Sequence, residues 1–281
     1  MPRVNGDGVV WIDGAWHAEG EATVSSFDHG LTVGDGVFET LKIVDGTAFA
    51  LRRHLARLRR SAAGLGLEVP RTDDELRDAV AGTVVANELA SGRVRVTVTG
   101  GVGPLGSDRG PNGSSVIIAA SDQPAWPESA SVVTVPWRRN EHSAVAGLKT
   151  TSYADNVVAL RAARERGADE AVLANTAGNL CEGTGTNIFL GLEGTLVTPP
   201  LSSGCLAGIV RELLIEALPV VETDVPLERL GEADEAFLTS STREVQAISA
   251  IDERVLPACP GPLTARAIEA FAEIRARSLD P

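Results

Sequence analysis

The sequence predicts a two-domain α+β protein, and three observations carry that expectation. The chain has 281 residues, close to twice the length of an ordinary domain. Segments with strand character outnumber the helical segments that would be needed to link parallel strands, which argues against a doubly wound sheet. The stretch 121–128 (Ser-Asp-Gln-Pro-Ala-Trp-Pro-Glu) holds two prolines and no periodicity. It reads as a linker between a small N-terminal domain, 1–120, and a larger C-terminal domain, 129–281.

Taken in order, Val9-Val10-Trp11-Ile12 before Asp13-Gly14 predicts a strand and a turn. Residues 36–44 predict a second strand, and Asp45-Gly46 a hairpin leading to Thr47-Ala48-Phe49. Leu51, Leu55, Leu58, Ala62 and Leu65 recur at helical spacing and stop at Gly64 and Gly66. Leu76, Val80 and Val84 share one face of a helix over 73–89. Val94, Val96 and Val98 alternate with Arg93, Arg95 and Thr97, as in a strand with one polar face. A short apolar strand over 116–120 precedes the linker.

Beyond the linker, 131–135 predicts a strand and 155–166 a helix closed by Gly167. Segments 171–174 and 180–181 flank an Asn175-Thr176-Ala177-Gly178-Asn179 turn. Segments 187–190 and 195–197 form a second hairpin around Glu193-Gly194. Residues 209–217 predict a helix, 236–239 a strand and 263–278 a C-terminal helix. The sequence shows no internal repeat and no low-complexity segment.

Composition narrows the function classes. Hydrophobic residues are 43% and charged residues 22% of the chain, as in a soluble globular protein rather than a disordered one. Lys+Arg is 25 against Asp+Glu 38, a net charge of −13, which argues against nucleic acid or an anionic membrane as partner. No apolar run approaches the roughly 20 residues that span a bilayer. Met1-Pro2-Arg3-Val4-Asn5-Gly6-Asp7 is polar and unlike a secretion signal. Cys181, Cys205 and Cys259 form no CxxC, and His17, His29, His54 and His142 are scattered, so no metal site is expected. Sparse thiols fit the cytoplasm, as fillers of small apolar gaps. Only Lys42 and Lys149 can supply an amine nucleophile.

Three features of the second half combine. In Gly147-Leu148-Lys149-Thr150-Thr151-Ser152-Tyr153, a lysine sits in partly apolar surroundings that favour its neutral, nucleophilic form. In Leu206-Ala207-Gly208-Ile209-Val210, a small-residue loop opens a helix, where free N–H groups and the dipole suit a phosphate. In Cys181-Glu182-Gly183-Thr184-Gly185-Thr186-Asn187-Ile188-Phe189, a carboxylate stands among glycines that let a flat ligand approach. Taken singly, each has an ordinary structural explanation. Together, an amine, a carboxylate for a ring nitrogen and a phosphate cup are what pyridoxal phosphate needs.

These residues resemble the fold-type IV, or class IV, pyridoxal-phosphate enzymes: branched-chain and D-amino-acid aminotransferases, (R)-amine transaminases and 4-amino-4-deoxychorismate lyases. The resemblance runs from about Asp28 to about Val245. Glu182 through Phe189 is similar to the family's E-x-x-x-x-N-[ILV]-F signature. Phe27 through Thr40 is similar to its YGDGVFET block, His54-Leu55-Ala56-Arg57-Leu58 to its H-x-x-R-L helix, and Thr239 through Val245 to its late phosphate-binding turn.

The resemblance implies a two-domain fold with a C-terminal mixed α/β pseudo-barrel that binds pyridoxal 5′-phosphate. It implies Lys149 as the Schiff-base lysine and Glu182 as partner of the pyridine nitrogen. The phosphate would be held by Arg57, the backbone N–H groups of Ile209 and Val210, and the hydroxyl of Ser241 or Thr242. From the residues alone, Arg57 shares an arginine-rich helix with a solvated face, yet lines up with Leu51, Leu55 and Leu58. Lys42 serves as the control and reads as a surface residue. Tyr153 either touches the cofactor's phenolic oxygen or packs. Arg95 is the candidate for a substrate carboxylate. Arg93 shares its strand face, and a salt bridge is the structural alternative for either.

Val33, Phe38 and Thr40 fall where the family differs by substrate: the resemblance implies Val33 and Phe38 as substrate-binding residues and Thr40, with Lys149, as a catalytic one. Branched-chain enzymes usually carry Tyr at the position of Val33 and Gly at that of Thr40, whereas the lyases carry Thr. The activity implied is a transaminase moving an amino group between a D-amino acid, branched-chain amino acid or amine and a 2-keto acid. The alternative is the lyase that forms 4-aminobenzoate and pyruvate, and a third reading is a cofactor-free binding protein. The partners implied are a small-molecule donor and keto-acid acceptor, and a second copy in a homodimer with active sites at the interface.

Overall fold

The computed structural model describes residues 8–281. The stretch 1–7, read as unlike a secretion signal, lies outside the described residues. The chain divides into two compact units. One runs to Ala125 and includes Leu148–Ser152 and Leu279–Pro281; the other comprises Trp126–Gly147 and Tyr153–Ser278. The first crossing falls within 121–128, and Lys149 lies in the first unit, a placement that a purely linear division does not contain.

The first unit holds β1 (Val9–Ile12), β2 (Ala15–Ala18), a one-turn α1 (His29–Thr32), β3 (Gly36–Val44), β4 (Thr47–Ala48), α2 (Leu51–Gly64), α3 (Asp73–Ala86), β5 (Gly92–Thr99) and β6 (Ser115–Ser121). The strands form one antiparallel sheet in the order β2-β1-β6-β5-β3-β4. The helix stripes read from the sequence are buried: Leu51, Leu55, Leu58 and Ala62 of α2 and Leu76, Val80 and Val84 of α3 pack with Val94, Val96 and Val98 of β5. Thr72 and Glu75 form a reciprocal capping box that starts α3. No side chain within α2 caps its start. There the Asp280 carboxylate accepts from Arg52 N–H at 2.9 Å, a long-range substitute for a local cap.

From Glu39 onward, strand β3 alternates in burial, after four buried residues in succession at its start. Val37, Glu39, Leu41 and Ile43 are buried, whereas Thr40, Lys42 and Val44 are only partly covered. The first set faces α2; the second, which includes Phe38, lies on the opposite face.

The second unit holds β7 (Ser129–Arg139), α4 (Ala154–Glu165), β8 (Glu170–Asn175), β9 (Leu180–Gly183), β10 (Asn187–Leu192), β11 (Thr195–Thr198), α5 (Ile209–Ala217), β12 (Val220–Glu222), β13 (Glu235–Ser240), β14 (Glu244–Ile251), β15 (Arg254–Val255) and α6 (Pro262–Arg277). Its mixed sheet has the order β12-β11-β10-β13-β14-β7-β8-β9, with β15 against β14. β9 lies at one end of that order and β10 third from the other, yet only residues 184–186 join them. In a flat sheet these strands would stand about 24 Å apart. From residue 183 to residue 187 the chain reaches at most about 14 Å. The sheet is therefore curled into a half-barrel, and the α+β two-domain fold expected from the resemblance is the fold observed.

Two departures from the expected elements have local causes. β7 continues past Pro136 to Arg139, with its register to β8 shifting between Thr134 and Arg138. A proline within a strand reads as a stop, but an irregularity in the ladder accommodates it. β14 has no counterpart among the expected elements, because a register shift between Ile248 and Ala250 breaks its alternation. α6 begins at Pro262, and the buried Glu235 carboxylate caps it through Leu263 N–H at 3.0 Å and Thr264 N–H at 2.7 Å. Cys181 and Cys205 are buried as gap fillers, but Cys259 is exposed, which corrects the expectation for that thiol.

Candidate functional site

Within the first unit, the lysine-bearing segment is tied to β3 and α2 through its backbone. Phe38 N–H donates to Lys149 C=O at 3.0 Å, Thr151 N–H donates to Gly36 C=O at 2.8 Å, and Lys149 N–H donates to Ser61 Oγ at 3.1 Å. Gly64 makes room for the segment, since a Cβ there would lie 2.7 Å from Leu148. Lys149 Nζ stands 4.5 Å from the centroid of the Phe38 ring. Arg95 Cζ stands 3.6 Å from the same centroid, and Arg95 pairs with Thr40 across β3 and β5. One aromatic ring thus lies within contact of both basic side chains, whose charged forms its ring electrons attract. Lys42, the other lysine, is half-buried opposite Arg93. Val33 ends α1 and is 47% exposed.

On the helix-facing side of β3, Glu39 accepts two parallel hydrogen bonds from Arg57, Nε to Oε1 and Nη2 to Oε2, both at 2.7 Å. The distance from His54 Nδ1 to Oε2 is 2.6 Å. All three side chains are buried, Arg57 being 4% exposed. The arginine expected to hold phosphate is therefore not on the solvated face of its helix. Burial pushes the Glu39 carboxyl up, but Arg57 and His54 together outweigh it and hold it at about 2, below the ordinary 4.5. Burial pushes His54 below its ordinary 6.5 against the pull of Glu39.

The pH consequence has one sign for both groups. Each folded value lies below the unfolded one, so at low pH the unfolded chain takes up protons that the folded chain refuses. Stability is full above about pH 6.5 and declines as the unfolded His54 protonates. It declines again below 4.5 as the unfolded Glu39 does, until Glu39 protonates in the folded state at about pH 2. The Glu39 part amounts to about 3 kcal/mol. Denaturant midpoints measured from pH 7 to pH 3 are expected to fall accordingly, and Glu39→Gln is expected to flatten the lower part of that slope.

Within the second unit, Glu182 of β9 is half-buried. Its Oε2 accepts from Leu206 N–H at 2.9 Å, and its Oε1 stands 3.1 Å from Arg139 Nε. Arg139 also donates to Asn156 Oδ1 at 3.1 Å, and the Asn156 amide donates to Thr184 C=O. The β7 extension past Pro136 is what brings this arginine to the carboxylate. Asn187, which opens β10, donates through Nδ2 to Leu206 C=O at 2.8 Å. The two ends of the Glu182–Asn187 motif thus hold the N–H and the C=O of one residue.

Two residues later Gly208 caps α5 with no side-chain partner, so Ile209 and Val210 supply the first helical N–H groups. Ser241 and Thr242 lie in the turn joining β13 to β14, where Arg243 N–H donates to Ser240 Oγ at 3.2 Å. Arg243 pairs with the buried Glu170 at 3.2 Å, and Glu170 also accepts from Thr184 N–H at 3.2 Å. Tyr153 occupies the position before α4.

Each unit therefore assembles part of the expected set: Lys149, Phe38, Thr40, Arg95 and Arg57 in the first, and Glu182, Ile209, Val210, Ser241, Thr242 and Tyr153 in the second. The sequence reading assigned no role to Glu39, His54, Arg139 or Asn187. Three of these stand inside motifs it quoted, and Arg139 carries no local signal. The donor chemistry fits pyridoxal phosphate: a half-buried amine over an aromatic ring, an oriented carboxylate, and a helix that starts at a glycine with no room for a Cβ.

The family model described as amino-transferase class IV matches residues 36–251. A Methanocaldococcus jannaschii chain, provisionally named a branched-chain-amino-acid aminotransferase, is 37% identical over 278 residues, covering 95% of this chain and 96% of its own. A D-alanine aminotransferase of Bacillus licheniformis is 30% identical over 269 residues, covering 91% and 93%. Among solved structures, the branched-chain aminotransferase of the archaeon Thermoproteus uzoniensis with norvaline superposes with a TM-score of 0.88 at 36% identity, covering 96% of this chain and 95% of its own.

Proposed function

Because the chain belongs to the class IV amino-transferase family, we propose that it is a pyridoxal-phosphate-dependent transaminase exchanging an amino group between a branched-chain or D-amino acid, or an amine, and a 2-keto acid. The observation that carries this is the family match over 36–251, a span that contains Lys149, Glu182, Arg57 and the start of α5.

Bound pyridoxal phosphate supplies an electron sink for the carbanion left when a substrate loses its α-proton. Lys149 holds the cofactor through its amine. The same amine, once free, would take the substrate's α-proton and deliver it to the carbon that was the cofactor's aldehyde. Phe38 stands beside that amine. Glu182 holds the pyridine nitrogen protonated, and the Leu206 N–H and Arg139 fix the orientation of its carboxylate. Ile209 and Val210 N–H, Arg57 and the hydroxyl of Ser241 or Thr242 hold the phosphate. Tyr153 meets the phenolic oxygen or packs beside it. Arg95 takes a substrate carboxylate, Val33 and Phe38 line the substrate side, and Thr40 stands with Lys149 among the catalytic groups. Family resemblance also supports a homodimer, and free cysteines fit a cytoplasmic setting.

Thr40 keeps the lyase reading in view. The test is a panel on the purified holoprotein. Branched-chain L-amino acids, D-alanine and (R)-1-phenylethylamine are each added alone and then with 2-oxoglutarate, and aminodeoxychorismate is offered separately. The expected result is conversion of the bound cofactor to its pyridoxamine form by the donor alone, and glutamate release with return of the aldehyde form once 2-oxoglutarate is added. Release of 4-aminobenzoate and pyruvate without glutamate would replace the transaminase by the lyase. A colourless protein that takes up no pyridoxal phosphate would remove both.

A further inference from the structure

We infer that Asn187 is a positioning residue that aims the first N–H groups of α5 at the cofactor phosphate. The inference rests on the proposed reading that Ile209 and Val210 hold that phosphate. Asn187 is buried at the start of β10, fixed by its register with Thr239 of β13. Its amide meets the loop before α5 at two points. Nδ2 donates to Leu206 C=O at 2.8 Å. At Gly208, a Cβ would lie 2.0 Å from Oδ1, so the backbone there is pressed against the amide oxygen.

With Glu182 holding Leu206 N–H at 2.9 Å, the loop is gripped at its N–H by one end of the motif and at its C=O by the other. Gly208, the residue before α5, has no side chain with which to cap it. The direction of its leading N–H groups is therefore set by this loop, and a hydrogen bond to a charged acceptor weakens steeply as it loses alignment. The carboxylate assigned to the ring nitrogen and the helix assigned to the phosphate are thereby locked at a fixed spacing, and Asn187 is the side chain that closes the lock.

The experiment compares two ligands that differ only in the phosphate. The full-length chain, freed of cofactor by hydroxylamine and dialysis, is titrated with pyridoxal phosphate and with pyridoxal, following the visible absorption of the bound aldehyde. Asn187→Ala is expected to weaken pyridoxal phosphate by about tenfold to a hundredfold and to leave pyridoxal within about threefold. Gly208→Ala is expected to weaken pyridoxal phosphate similarly in the wild-type chain. It should add little in the Asn187→Ala background, where the space beside residue 208 is empty.

If Asn187→Ala melts without cooperativity, Asn187→Ser, which keeps a hydroxyl donor, replaces it, and a smaller loss confined to pyridoxal phosphate is expected. Binding of pyridoxal phosphate within twofold of wild type, or equal losses for both ligands, would overturn the inference. Ile209→Pro separates the underlying reading, because proline is tolerated at the first helical position and deletes one N–H. If that variant and the wild type both bind the two ligands alike, the phosphate assignment at α5 fails and the inference falls with it. If Ile209→Pro loses phosphate affinity and Asn187→Ala does not, only the inference fails.

Discussion

Lys149→Ala is expected to lower turnover by at least about a thousandfold and to abolish the visible absorption of the bound cofactor. The fold should survive the change. The segment is held by its backbone, through Phe38 N–H to Lys149 C=O, Thr151 N–H to Gly36 C=O and Lys149 N–H to Ser61 Oγ, and none of these needs the side chain. The loss of the contact between Nζ and Phe38 costs about 0.5–2 kcal/mol. Melting should therefore shift by only a few degrees while activity disappears. Borohydride reduction of the wild-type holoprotein, followed by peptide mass mapping, is expected to place the pyridoxyl adduct on Lys149. An adduct on Lys42, or full activity in Lys149→Ala, would refute the assignment of the amine.

The second large effect is on stability. Glu39→Ala is expected to destabilise the first unit by about 3–5 kcal/mol. The substitution leaves the Arg57 guanidinium and the His54 ring buried without the carboxylate that accepts from Arg57 at two points. The penalty for stranding a buried charge exceeds the net worth of the pair, because the pair itself had to be desolvated. Glu39→Gln, which keeps an acceptor and removes the charge, should cost less. The double variant Glu39→Leu with Arg57→Leu should recover most of the loss in denaturant midpoint, although it deletes a proposed phosphate ligand. A Glu39→Ala chain as stable as wild type would show that the buried triad is not what holds α2 against β3.

Much of the fold was legible because it rests on periodicity. The stripe Leu51, Leu55, Leu58 and Ala62 names the buried face of α2, and the alternation of Val94, Val96 and Val98 names that of β5. What was not legible depends on partners distant in sequence. Arg57 sits among four other arginines on its helix, and only the carboxylate 18 residues earlier on β3 makes it a buried group. Arg139 lies beyond a proline that reads as a strand end, so its approach to Glu182 left no local trace. Asp280, which caps α2, is separated from it by more than two hundred residues. For the candidate site, the motif from Glu182 to Asn187 could be recognised. The physical reason for its spacing emerges only when both side chains are seen on Leu206.

The alternation of β3 places two separate constraints on one nine-residue ribbon. Positions 37, 39, 41 and 43 anchor the scaffold, whereas 38 and 40 look the other way, toward Arg95 and Lys149. Thr40 is accordingly open to change with the molecule being handled, while the odd-numbered positions and the buried Phe38 ring are not. An inserted residue would exchange the two sets at a stroke, sending Glu39 to the wrong side of the ribbon. New specificities in such a chain should arise by replacement along this ribbon and never by a change in its length.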